Sequence, residues 1–146
     1  MRILTLILFL GVLPCSRPAL EVIDASSRRD MPGRKESPVT VHYEIRVKAN
    51  KNSNVLAFTK IYVHGTPCRV KVFHLSGKER MAKFSKGDTL LLVTTFFEKE
   101  NAGPDKAGTL PEALVGEELV IGYSLRGKER YLPVREIHRK PEKIRL

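Results

Sequence analysis

The sequence has no tryptophan, only two cysteines and four histidines, and an aromatic content of 7%. Each shortage excludes something. The histidines (His42, His64, His74 and His138) and the cysteines (Cys15 and Cys68) fall into neither a His-x-x-x-His nor a Cys-x-x-Cys spacing, so no local metal motif exists. There is no Gly-x-Ser-x-Gly elbow and no glycine-rich phosphate loop. Asp88, Glu98, Glu100, Glu117 and Glu118 form no paired-carboxylate motif. No Asn-x-Ser/Thr sequon is present, so N-glycosylation is not expected. No apolar run reaches the ~20 residues that a bilayer-spanning helix needs. Neither a cofactor nor a catalytic centre is expected.

Positive charge, by contrast, is abundant. The 146 residues carry 26 Lys and Arg against 16 Asp and Glu, a formal charge of +10. With 42% hydrophobic residues the chain has enough apolar material for one packed domain. Met1-Arg2 precedes the apolar segment Ile3–Leu13, which Pro14 ends; small residues Cys15, Ser16 and Ala19 follow. That order of charge, short apolar run and break reads as a secretory signal peptide. The expected layout is a signal peptide over 1–16, a flexible lead over 17–38, a β-domain over 39–137 and a basic tail over 138–146. The compartment expected is extracellular, with no membrane span once the signal is removed. Cleavage before Cys15 permits one disulfide, Cys15 to Cys68; cleavage after it leaves Cys68 a single thiol.

The domain reads as β. Val39, Val41, Tyr43, Ile45 and Val47 alternate with polar residues, the period of a half-buried strand. Val55–Val63 is rich in β-branched and aromatic residues, and Cys68, Val70 and Val72 alternate in a third strand. Arg80–Phe84 follows a Ser76-Gly77-Lys78 turn. Thr89–Phe97 is apolar or Thr throughout, which predicts a strand buried on both faces. Residues 110–114 suggest one helical turn. Leu119–Leu125 turns through Arg126-Gly127-Lys128 into Tyr131–Ile137, where Pro133 marks an edge. About seven short strands with tight turns predict an all-β fold, a small OB-like barrel or a sandwich.

The stretch Val39–Glu98 resembles the five-stranded OB-type barrel. Cys15-Ser16-Arg17-Pro18, the barrel cysteine Cys68 and the basic tail are similar to the netrin-like module of tissue metalloproteinase inhibitors and complement C-termini. The resemblance implies a secreted barrel with a binding role. That family starts Cys-x-Cys, whereas Arg17 stands here, so metalloproteinase inhibition is not implied.

The function this supports is a secreted, non-enzymatic binding module. Its partner would be a heparin-like glycosaminoglycan or an acidic extracellular protein; nucleic acid is not expected outside the cell. The candidate polyanion-binding residues are Arg46 and Lys48, Arg69 and Lys71, Lys78 and Arg80, Lys128 and Arg130, and Arg139, Lys140, Lys143 and Arg145 in the tail. Two alternatives remain. One is a hydrolase such as a nuclease, with His42, His64 and Lys60 converging. The other is an OB-type nucleic-acid binder that stacks bases on Tyr62 and Phe73 beside Lys60 and Lys71.

Overall fold

The computed structural model describes residues 17–34, 37–75, 83–98 and 110–144. Among these, β1 (Leu20–Met31), β2 (Val39–Ala49), β6 (Thr89–Glu98) and β5 (Lys71–His74) form one sheet, with β9 (His138–Arg139) and β10 (Lys143–Ile144) on its β1 edge. A second sheet has the order β4 (Thr66–Cys68), β3 (Leu56–Val63), β7 (Leu119–Leu125), β8 (Lys128–Pro133). The fold is all-β, a curled sheet packed on a smaller one.

Strand alternation decides which side of each sheet is core. Val41, Tyr43, Ile45, Val47 and Ala49 of β2 are all buried and meet Leu90 and Leu92 of β6, Ile61 and Val63 of β3, and Leu119 and Ile121 of β7. A satellite cluster of Tyr62, Val120 and Leu110 covers the back of the second sheet, with Leu114 of a single 3-10 turn (Glu112–Leu114) and Tyr131 against it. Gly122 permits this close approach: a Cβ there would lie 3.1 Å from both the Lys60 carbonyl oxygen and the Tyr62 ring.

Both hairpins of the second sheet turn through left-handed residue pairs. His64 (φ 48°) and Gly65 (φ 80°) join β3 to β4, and Arg126 (φ 51°) and Gly127 (φ 79°) join β7 to β8. Two consecutive positive φ values match the type I′ turn, whose twist suits strand pairing. β8 is an edge strand, as Pro133 implies, but it runs Lys128–Pro133, so residues 134–137 of the expected Tyr131–Ile137 strand lie beyond it.

Further expectations are corrected. The lead over 17–38 holds a twelve-residue strand, β1, paired with β2 along its length. A register shift between Val22 and Asp24 breaks its period, and its buried positions further along are the small Ala25 and Ser27 and the charged Asp30. Ser27 lies opposite the bulky Tyr43, which explains why a small residue fits there. The expected third strand is split, since β4 belongs to one sheet and β5 to the other. The Thr94 hydroxyl pins the crossing by donating to the Arg69 carbonyl at 2.7 Å. β6 is buried on one face only, with Leu90, Leu92 and Thr94 inside and Leu91, Val93 and Thr95 half-exposed. The tail docks rather than frays: β9 and β10 pair in parallel with β1. Of the expected Arg80–Phe84 strand, residues 80–82 lie outside the described residues, and buried Phe84 precedes β6 in a loop.

Candidate functional site

Antiparallel order gathers strand ends from distant parts of the sequence. The start of β1, the end of β2, the β2–β3 loop, the loop before β6 and the β7–β8 turn all meet at one end of the molecule. Hydrogen bonds weld these loops together. The Asn50 backbone donates to the Ala19 carbonyl at 2.9 Å, and its side chain donates to the Pro18 carbonyl at 2.7 Å. Lys86 N–H donates to the Asn52 side chain at 2.7 Å, Ser53 N–H to the Phe84 carbonyl at 3.0 Å, and Arg126 N–H to the Val55 carbonyl at 2.8 Å. Asn50 is itself buried at the centre of this knot.

The rigid end carries Arg17, Lys48, Lys51, Lys83, Lys86, Arg126 and Lys128. Five are exposed and two, Lys48 and Lys51, half-exposed. Among the described residues none of the seven has a carboxylate within ion-pair distance; those pairs involve Arg28, Arg29, Arg46, Arg135, Arg139, Lys140, His42 and His64. Of the carboxylates at this end, Asp88 accepts from Ser85 N–H at 2.8 Å, while Glu21 lies opposite Lys48 and Glu129 follows Lys128, neither within ion-pair distance of the seven. Unpaired cations held close together raise the local positive potential.

The opposite end binds its charges to one another. Glu118, at the start of β7, accepts from the Tyr43 hydroxyl at 3.1 Å and from Arg139 Nη1 at 2.8 Å, while Arg139 Nη2 takes its other oxygen. Arg139 Nη1 also donates to Ser27 Oγ at 3.0 Å. This clasp ties the C-terminal strap to both sheets. The Arg139 fork holds the Glu118 carboxyl below its ordinary range against the opposing effect of burial. Burial, reinforced by the Glu118 charge, pushes the Tyr43 phenol up to about 12. On the outer face of the first sheet, buried Asp30 sits 3.0 Å from His42 Nε2 and 3.3 Å from Arg28 Nε.

The candidate residues are thus dispersed. Lys48 and Lys128 stand at the cationic end. Arg46 pairs with Asp24 across the strands, its Nε donating at 2.7 Å. Arg69 lies exposed at the sheet crossing, Lys71 on β5, Arg130 on β8 and Lys143 on β10. Arg139 is committed to the clasp, and Lys140 lies 3.7 Å from Glu44. Lys78, Arg80, Arg145 and Cys15 lie outside the described residues. Cys68 is a half-buried thiol, and burial pushes its pKa up, away from nucleophilic character.

His42 and His64 do not converge. His42 meets Thr95 on the outer face of the first sheet, with Nδ1 3.3 Å from the Thr95 hydroxyl. His64 packs on Phe96, ring centres 5.9 Å apart, and Phe96 lies against the core on the other face. Tyr62 is 1% exposed beneath the satellite cluster, so it offers no stacking surface. Among the described residues no cluster of three or more His, Cys, Asp or Glu could hold a metal, and no helix is long and apolar enough to cross a membrane.

Arg17, Lys51, Lys83, Lys86 and Arg126 escaped the sequence reading. Each sits in or beside a turn, and only the strand order brings them together. For Lys51, Lys86 and Arg126 the sequence-level signal is a Lys or Arg in an Asn- or Gly-containing turn; Arg17 and Lys83 carry no such signal. No family model, curated protein or solved structure matches the chain.

Proposed function

We propose that this chain is a secreted, non-enzymatic binding module that engages an extracellular polyanion of the heparin type through its cationic end. The observation that carries the reading is the set of seven cations on hydrogen-bonded loops with no carboxylate partner among the described residues. Each ammonium or guanidinium there is available to a sulfate, and the loops are already ordered, so binding loses little entropy. Five of the seven are Lys, which act as point charges and suit a ligand read by charge density. The netrin-like resemblance supports the extracellular setting on the strength of the sequence features alone.

Expressed in a eukaryotic cell, the chain is expected in the medium without its first 14 to 19 residues. Intact Met1 on a cytosolic product, seen by mass spectrometry, would remove the extracellular setting. The site itself is tested by salt. Binding of a multivalent polyanion weakens linearly in log–log form with salt, by nearly one unit of slope per contact. Lys51→Ala with Lys86→Ala is expected to lower that slope by about two units. A control, Lys140→Ala with Lys143→Ala, is expected to elute from heparin close to the parent chain. Equal loss in both pairs would mean that only net charge matters and that no defined site exists.

A further inference from the structure

The outer face of the first sheet continues from the cationic end. Cross-strand register places Lys48 beside Thr89, Arg46 beside Leu91, Leu91 beside Phe73, and Val93 beside Lys71. Residues directly opposite in an antiparallel pair share a face. Phe73, Leu91 and Val93 therefore form an apolar strip, each half-exposed and none counted in the core cluster. Arg46, Lys48 and Lys71 border the strip; Arg46 is paired with Asp24, Val93 also faces Glu44, and Lys48, opposite Glu21, belongs both to this border and to the cationic end. Phe73 lies on β5, the edge strand of this sheet among the described residues.

We infer that this strip is the second half of the binding site: it receives the uncharged faces of sugar rings while the cationic end holds the sulfates of the same glycan. The inference rests on the polyanion reading above and specifies its ligand. Charge complementarity sets the direction of the chain. On the β1 side of Leu91 a groove of about 370 Å³ holds the Arg46–Asp24 and Lys140–Glu44 ion pairs, whose mutually engaged charges leave little to attract a sulfate. On the β5 side Lys71 attracts one. A glycan leaving the cationic end therefore runs over Phe73 toward Lys71. Pyranose rings have flat C–H faces that cover apolar and aromatic side chains, while their substituents carry the charge outward. A bare string of phosphates has no such face. Single-stranded nucleic acid needs exposed aromatic platforms for successive bases, and the strip holds one aromatic ring.

The two halves separate by salt dependence. Burying apolar area contributes at every ionic strength, whereas charge contacts set the slope. The probe is a labelled heparin oligosaccharide, titrated by fluorescence anisotropy against the purified secreted chain across a salt series. Phe73→Ala is expected to weaken binding about three- to fivefold at every salt concentration, with the slope unchanged, since only the minor exposed part of the phenyl ring remains to be covered. Val93→Thr, which keeps the side-chain shape, is expected to weaken it in the same sense. Circular dichroism matching the parent chain confirms folding. Unchanged affinity in both variants would overturn the inference while leaving the cationic end in place. It would also fall if Phe73→Ala abolished binding to phosphatidylserine vesicles but not to the oligosaccharide, which would make the strip a lipid contact. If the Lys51 and Lys86 substitutions leave the slope unchanged, the underlying polyanion reading fails instead.

Discussion

Replacing Glu118 by Ala is expected to destabilise the protein by about 2–3 kcal/mol, the cost of stranding a buried hydroxyl and removing charge-assisted hydrogen bonds. Tyr43 is 2% exposed, so its hydroxyl loses the carboxylate acceptor that pairs it in the fold. Arg139 keeps Ser27 Oγ at 3.0 Å and its contact with Tyr43, but the strap loses its charged anchor at the start of β7. Glu118→Gln keeps an acceptor for Tyr43 but forfeits the charge on the Arg139 fork, and should cost less. Urea unfolding of both variants, with Arg139→Ala to complete a double-mutant cycle, separates these contributions. Equal small losses in all three would mean that the clasp is ornamental.

The same clasp sets a pH window. The Glu118 carboxyl titrates below its unfolded value, so its contribution is present above the ordinary carboxylate range and is lost as pH falls through the lowered value. Tyr43 titrates above its unfolded value. Its contribution is complete below about 10 and is lost as pH rises through about 12. Between those limits the strap stays closed. An ultraviolet titration should show one phenol ionising near 12, and Tyr43→Phe should remove that step.

The legible parts of the fold were those where one physical pattern ran uninterrupted. β2 keeps strict alternation from Val39 to Ala49, and its inner face follows from that alone. β7 and the Arg126-Gly127 turn were equally plain. β1 was not, because a register shift falls in its first half and Ser27, rather than a large apolar residue, fills a core position opposite Tyr43. The strap pairs through backbone over two short stretches, which leaves no side-chain period to read. For the site, alternation groups charges by strand face: Arg46 with Lys48, Arg69 with Lys71. The fold groups them by strand end instead. Lys51, Lys86 and Arg126 are neighbours only because β2 and β7 finish where β6 begins, and strand order is a long-range property.

Leu91 and Leu92 are adjacent in sequence, and their replacement by Ala is expected to have very different costs. Leu92 is 0% exposed in the main core, so Leu92→Ala removes buried area and leaves a cavity, at about 3–5 kcal/mol. A domain of this size has a total stability of roughly 5–15 kcal/mol, so the variant sits near the threshold of folding. Leu91 points to the opposite face and is half-exposed, so Leu91→Ala should cost about 1 kcal/mol or less. The contrast tests register, since a slip of one residue in the β2–β6 pairing would move every β6 side chain to the other face. Chemical unfolding of the two variants decides it. Comparable costs would mean that β6 is buried on both sides, as its uniformly apolar sequence suggests. The strip of Phe73, Leu91 and Val93 would then belong to a second layer of core, and the sugar-ring platform would be lost with it.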